Sequence, residues 1–180
     1  MTWLFILIVI AVVAAVAWAA LRRRRSTTLR EGFGPEYDRT VERTGDRSAA
    51  EADLLDRQRR KAGLDLHDLG PAERQTFMDD WQATQAAFVD DPTGAVDGAD
   101  RLIQRAMHER GYPVEDFDDR ASIVSVDHPL VVERYRRAHA IAVANLDGTA
   151  GTEDLRQAMQ DYRALFVEIV EGTVEAPGRV

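Results

Sequence analysis

TEDLRQAMQDYRALFVEI, Thr152 to Ile169, carries its apolar residues at Leu155, Ala158, Met159, Tyr162, Leu165, Phe166 and Ile169. Steps of three and four put all seven on one face of an α-helix, whereas a strand would need alternation. Thr152 is the expected cap, Glu153 and Asp154 suit the positive end of the helix dipole, and Gly172 is the expected stop. The same spacing recurs upstream. Val131, Val132, Tyr135, Ala138, His139 and Ala142 follow the start signal Asp127-His128-Pro129 and end at Asp147-Gly148. Val96, Ala99, Leu102, Ile103, Ala106 and Met107 lie between Asp91-Pro92, a cap and first-turn proline, and Gly111. Pro71 opens a helix with Phe77, Trp81, Thr84 and Phe88 on one face, and a shorter helix is expected over 114–124. No segment alternates with period two. The fold class predicted is all-α: one N-terminal transmembrane helix, then a bundle of about four main helices with short ones between them.

Upstream of the bundle the helices are thinly apolar. Leu29 to Gly34 reads as a loop, Pro35 to Gly45 as a short helix, and Asp46 as the cap of a charged helix from Arg47 to about Ala62. That last helix offers Ala50, Leu54 and Leu55 as its main apolar residues, as a stalk would. The expected division is an anchor with its basic stop at 1–25, a juxtamembrane linker and stalk at 26–63, the bundle at 64–172, and a flexible tail at 173–180.

The anchor is expected from WLFILIVIAVVAAVAWAAL, Trp3 to Leu21, which contains no charge, proline or glycine. As a helix this run is roughly 28 Å long, close to the apolar thickness of a bilayer. Trp3 and Trp18 mark its two ends, and Arg22, Arg23, Arg24 and Arg25 follow, suited to anionic headgroups. The positive-inside rule then places the N-terminus outside and the following domain in the cytoplasm, in a single-pass protein of the cell membrane. Export after signal-peptide cleavage is the alternative, although the arginines follow the apolar run and do not precede it. Ala11, Ala15 and Ala19 recur every four residues, which in so alanine-rich a segment chance explains.

The chain has 180 residues, 23 basic and 31 acidic, for a net charge of −8. Five of the basic residues, Arg22 to Arg25 and Arg30, precede the first acid, Glu31. From Glu31 onward 18 basic residues face 31 acidic ones, a net of −13. A domain of that charge repels phosphate backbones, so no nucleic-acid partner is expected. Without cysteine there are no disulfides, thiolate metal sites or cysteine nucleophiles.

No catalytic, cofactor or metal constellation emerges. Asp127 and His128 are adjacent, and a carboxylate can orient an imidazole as base or ligand. With Tyr135 and His139 they form the possible ligand or partner site. His128 and His139 are three turns apart on the expected helix, roughly 16 Å, too far to share one metal. The bland reading makes Asp127 a helix cap, His128 part of the first turn and His139 a core-edge histidine. The acidic pairs, Asp79-Asp80 among them, lack the spacing of a calcium loop. Arg57, Arg59, Arg60 and Lys61 form a second basic patch, to be held on lipid or paired with the acidic bundle.

Five blocks are distinctive: FGPEYDRT (Phe33–Thr40), WQATQAAFVDDP (Trp81–Pro92), RGYPVEDF (Arg110–Phe117), SVDHPLVVERYRRAH (Ser125–His139) and TEDLRQAMQDYRALF (Thr152–Phe166). In this order they resemble a bacterial family of membrane-anchored or "secreted" helical proteins. The resemblance implies a helical fold and no assigned activity. The functional expectation is a membrane-tethered, non-enzymatic interaction or scaffold module, with anionic lipid at Arg22 to Arg25, an unidentified protein partner and no cofactor. The alternatives are a ligand- or metal-responsive helical sensor and an exported envelope protein.

Overall fold

A computed structural model describes residues 2–113 and 116–172, apart from the side chains of residues 2, 4, 5 and 8. Among them every regular element is helical: α1 (Thr2–Phe33), α2 (Pro35–Thr44), α3 (Arg47–Ala62), α4 (Pro71–Ala87), α5 (Pro92–Glu109), α6 (Phe117–Asp127), α7 (Val132–Leu146) and α8 (Thr152–Phe166), the last extended by a π-helical turn, Val167–Glu171. The expected tail at 173–180 and the expected helix start at Val114 lie outside the described residues. The chain forms two compact units that divide between Leu55 and Asp56, within α3.

The transmembrane anchor is corrected. Among the described residues no helix is long and apolar enough to cross a membrane. The helix that carries the apolar run, Thr2–Phe33, also carries Arg22, Arg23, Arg24, Arg25 and Arg30, so it is apolar over only part of its length. Nor does the helix stop at the arginines, and the loop expected at Leu29–Gly34 is absent. α1 continues to Phe33, because Ser26, Leu29 and Phe33 form a buried stripe at steps of three and four. It ends at Gly34, whose φ of 48° is open to glycine.

In the first unit, α1 turns through Gly34 into α2, which starts on Pro35 and ends at Gly45 with φ 67°. Asp46 then caps α3, accepting from Ser48 N at 3.2 Å and Ala49 N at 3.1 Å. Leu29, Phe33, Tyr37, Ala50 and Leu54 are its buried apolar residues.

The second unit holds one core, built on α5. Val96, Ala99, Leu102, Ile103, Ala106 and Met107 of α5 are buried with Val132, Tyr135 and Ala138 of α7 and Leu155, Ala158, Tyr162, Leu165 and Phe166 of α8. α4 adds Phe77 and Trp81, the latter stacked on Phe166 with ring centroids 4.8 Å apart. Caps fall close to expectation. Asp91 accepts from Gly94 N at 2.9 Å, and Asp154 accepts from Gly151 N at 2.9 Å, which makes Gly151 the cap of α8 in place of Thr152. One start signal fails. Asp127 ends α6 instead of opening α7, and His128 closes it by donating its backbone N–H to Val124 O at 2.8 Å.

The last turns of α3, from Asp56, belong to this unit. Arg57 donates to Ser125 Oγ at 3.1 Å, Arg60 pairs with Asp119 at 2.7 Å, and Lys61 pairs with Asp127. The second basic patch is therefore engaged with α6.

Candidate functional site

The four residues singled out as a possible site separate into two pairs. Asp127 is held by Lys61, and His128 Nδ1 lies 3.1 Å from Glu168 Oε2 on the π-helical turn. Tyr135 and His139, one turn apart on α7, both meet Phe117: Tyr135 at 4.9 Å in a tilted contact, His139 stacked at 3.7 Å with 9° between the rings.

Around the second pair lies a polar seam that sequence spacing does not reveal. Asp100 of α5 accepts from Tyr162 Oη at 2.7 Å and from Gln104 Nε2 at 2.6 Å. His139 Nδ1 stands 3.9 Å from the same carboxylate, outside hydrogen-bond range, and has no hydrogen-bond partner. Tyr135 Oη accepts from Arg120 Nε at 2.9 Å. Nearby, Asp161 is 2% exposed and takes both forks of Arg137 at 2.6 and 2.7 Å. Arg110, also 2% exposed, donates to His67 O, Ile169 O and Asp68 Oδ1 at 3.2, 2.5 and 3.2 Å. These side chains satisfy one another across helix interfaces, which specifies packing. Among the described residues no group of three or more His, Asp and Glu could hold a metal ion.

The first unit has a smaller knot of the same kind. Glu51 Oε1 accepts from Ser26 Oγ at 2.6 Å, Tyr37 Oη at 2.9 Å and Arg47 Nε at 3.1 Å, and Arg47 also reaches Ser26. The knot ties α3 to α1 just beyond the arginines. Sequence reasoning missed it because Ser26 and Glu51 are separated by 25 positions. The one available signal was that Glu51 lies beside Ala50, on the thinly apolar side of a charged helix.

The residues expected at a lipid interface are exposed. Trp3 is 80% and Trp18 63% accessible, and Ile6, Leu7, Val9, Ile10, Val12, Val13, Val16 and Leu21 are also exposed, on every side of α1. The Arg22 guanidinium sits 5.4 Å above the Trp18 ring. Among the described residues Arg22, Arg23, Arg24 and Arg25 have no carboxylate partner. In the same unit Arg30 pairs with Asp38, Arg43 with Asp53 and Arg47 with Glu51.

The buried networks set a pH profile. Burial alone would raise the carboxyls of Asp100 and Glu51. For Asp100 the neighbouring His139, Tyr162 and Gln104 outweigh it, and for Glu51 the bonds from Ser26, Tyr37 and Arg47 do, so both sit below their ordinary 3.8 and 4.5. Folding then favours the carboxylates, a contribution complete above the unfolded values and lost as pH falls through the depressed ones. Burial pushes Tyr135 and Tyr112 up to about 12, and raises Tyr162 further beside Asp100. Their contribution is complete below the ordinary 10.0 and lost as pH rises through about 12. Melting temperature should be flat across neutral pH, fall below about pH 4 and fall again above about pH 10. In an absorbance titration Tyr112, Tyr135 and Tyr162 should ionise only as helicity is lost. Ionisation of all the tyrosines near 10 with helicity intact would contradict the seam.

Neither a protein-family model, nor a curated protein, nor a solved structure matches this chain, so its geometry alone guides the functional reading.

Proposed function

We propose that the chain is a lipid-associated, non-enzymatic interaction module. The exposed apolar part of α1 and its arginine collar engage anionic lipid at a membrane surface, and the acidic helical unit is displayed to a protein partner. One observation carries this reading: the large apolar side chains described between Trp3 and Leu21 are 45–80% accessible, on every side of a helix, and the four arginines next in the chain have no carboxylate partner among the described residues. Water does not favour such a surface, and a contiguous apolar patch of this extent marks an interaction site. The arginines select an anionic counterpart, which points to the cytoplasmic leaflet. The net of −13 from Glu31 onward turns the rest of the chain away from that surface and toward a partner with basic groups.

Vesicle flotation tests the lipid contact. Full-length protein diluted from mild detergent should float with phospholipid vesicles. The double substitution Val12→Asp and Val16→Asp, at exposed positions, should reduce partitioning more than tenfold, since each valine buried in an apolar medium is worth about 1.5–3 kcal/mol. If the native chain stays at the bottom of the gradient with every lipid tried, the lipid reading fails. A concentration-dependent dimer that ignores lipid would assign the apolar surface to a second copy instead.

A further inference from the structure

We infer that the side of α1 facing α3 in the first unit is a binding site for the phosphodiester headgroup of an anionic phospholipid. The inference rests on the lipid reading above and adds to it a ligand class and a set of residues.

Two clefts of about 530 and 310 Å³ flank Trp18, Arg22 and Glu51. Arg25 and Ser48 line the larger, and Arg23, Ser26 and Arg47 the smaller. Their volumes lie within the roughly 300–1,000 Å³ of small-molecule sites. Four arginines line the two clefts, Arg22 both of them, and three of the four, Arg22, Arg23 and Arg25, have no carboxylate partner among the described residues. The one carboxylate in the lining, Glu51, is committed. Its Oε1 takes bonds from Ser26, Tyr37 and Arg47, and that grip fixes Arg47 at the cleft wall. Arginine forks match phosphate oxygens two at a time, which an ammonium cannot do. The surplus of positive charge calls for an anion.

The neighbourhood makes that anion part of a lipid. Trp18, Ala19 and Leu21, which also line the clefts, end the exposed apolar stretch. A ligand seated at the arginines therefore meets apolar helix surface on the N-terminal side. An indole at this boundary suits the interface between headgroup and acyl chain, with its apolar face toward one and its N–H toward the other. A nucleic acid has no use for the apolar surface and is repelled by the rest of the chain.

The test compares full-length protein on phosphatidylcholine vesicles and on vesicles containing about one third phosphatidylglycerol. The native chain should prefer the anionic vesicles. The double variant Arg22→Gln and Arg25→Gln, both side chains exposed and without a carboxylate partner among the described residues, should lose about 25-fold of that binding, from about fivefold for each arginine. The charge-matched double variant Arg43→Gln and Arg156→Gln, both exposed and neither lining the clefts, measures the effect of net charge alone and should lose little. The variant Arg22→Lys with Arg25→Lys distinguishes a built site from simple attraction. It should lose at least fivefold, and binding equal to the native chain would overturn the site. Equal native binding to both vesicle types would overturn the headgroup site and leave the apolar lipid contact standing, whereas binding to neither would remove the lipid reading itself. Release from anionic vesicles by millimolar inorganic phosphate at constant ionic strength would reassign the clefts to the free ion.

Discussion

Truncating Trp81 to alanine should lower the unfolding free energy by about 3–5 kcal/mol, the usual cost of removing a large buried aromatic. Trp81 is 5% exposed and stacks on Phe166 at 4.8 Å with 20° between the rings. It carries more weight than its size alone implies, because Phe77 and Trp81 are the only buried residues of α4. Without the indole, α4 keeps one buried ring and a rim of exposed charge, such as Asp80 paired with Arg105 at 2.7 Å. Exposed pairs of that kind are worth little. Urea unfolding should therefore show the loss in midpoint, and hydrogen exchange should show α4 amides opening ahead of α5 and α8. Trp81→Phe, which keeps a ring against Phe166, should recover a large part of the loss. A cost under about 1 kcal/mol for the alanine variant would mean that α4 is held some other way.

The second large effect is expected at Arg110. Replacement by methionine keeps most of the volume and removes every hydrogen bond, so the cost isolates the guanidinium. That group joins three parts of the second unit: the connector before α4 through His67 O and Asp68, the end of α5 on which it sits, and Ile169 O on the π-helical turn. The π-helical turn interrupts the regular ladder of α8, and Arg110 supplies the donor its buried carbonyl takes. A charge-assisted bond contributes about 1.5–3 kcal/mol and the half-buried bonds less, giving about 2–4 kcal/mol in urea unfolding. Lysine should restore only a minor part, because a single ammonium cannot reach three acceptors in a fixed fork. The junction is tight from the backbone as well. Gly111 has φ 86°, and a Cβ there would lie 2.4 Å from Asp65 O. A methionine variant as stable as the native chain would show that water replaces the guanidinium at all three acceptors.

Much of the helical architecture was legible because its signals are local. The stripes on α5, α7 and α8 recur at three and four residues, and these positions are buried except Val131 and His139, which are half-buried. Proline and aspartate at Asp91-Pro92 and glycine at Gly45 act within one turn of where they stand, so they marked boundaries correctly. Asp127-His128-Pro129 misled for a related reason. Aspartate before proline resembles a helix start, but Ile123, Val124 and Ser125 are buried, and they extend α6 through Asp127 before the proline takes effect. The failed anchor is different in kind. An apolar run followed by arginines predicts a span and a stop, but a helix ends only where its backbone or packing requires it. Leu29 and Phe33 gave α1 a reason to continue past the charges.

The candidate sites were less legible than the fold. Exposed tryptophans and arginines along one helix are adjacent in sequence, so the collar could be read directly. The clefts beside it could not, since they need Arg47, Ser48 and Glu51 brought back from α3. The same holds for Asp100 with Tyr162, 62 positions apart, and for Arg110 with Ile169, 59 apart. By itself the sequence determined what is local along the chain: helical class, apolar faces, the caps at Asp46 and Asp91, the charge asymmetry and the run of arginines. Only the tertiary structure decided which polar side chains meet. Burial forces a distant acid, phenol or guanidinium to find a partner, and periodicity names the buried face without naming who waits on the other side.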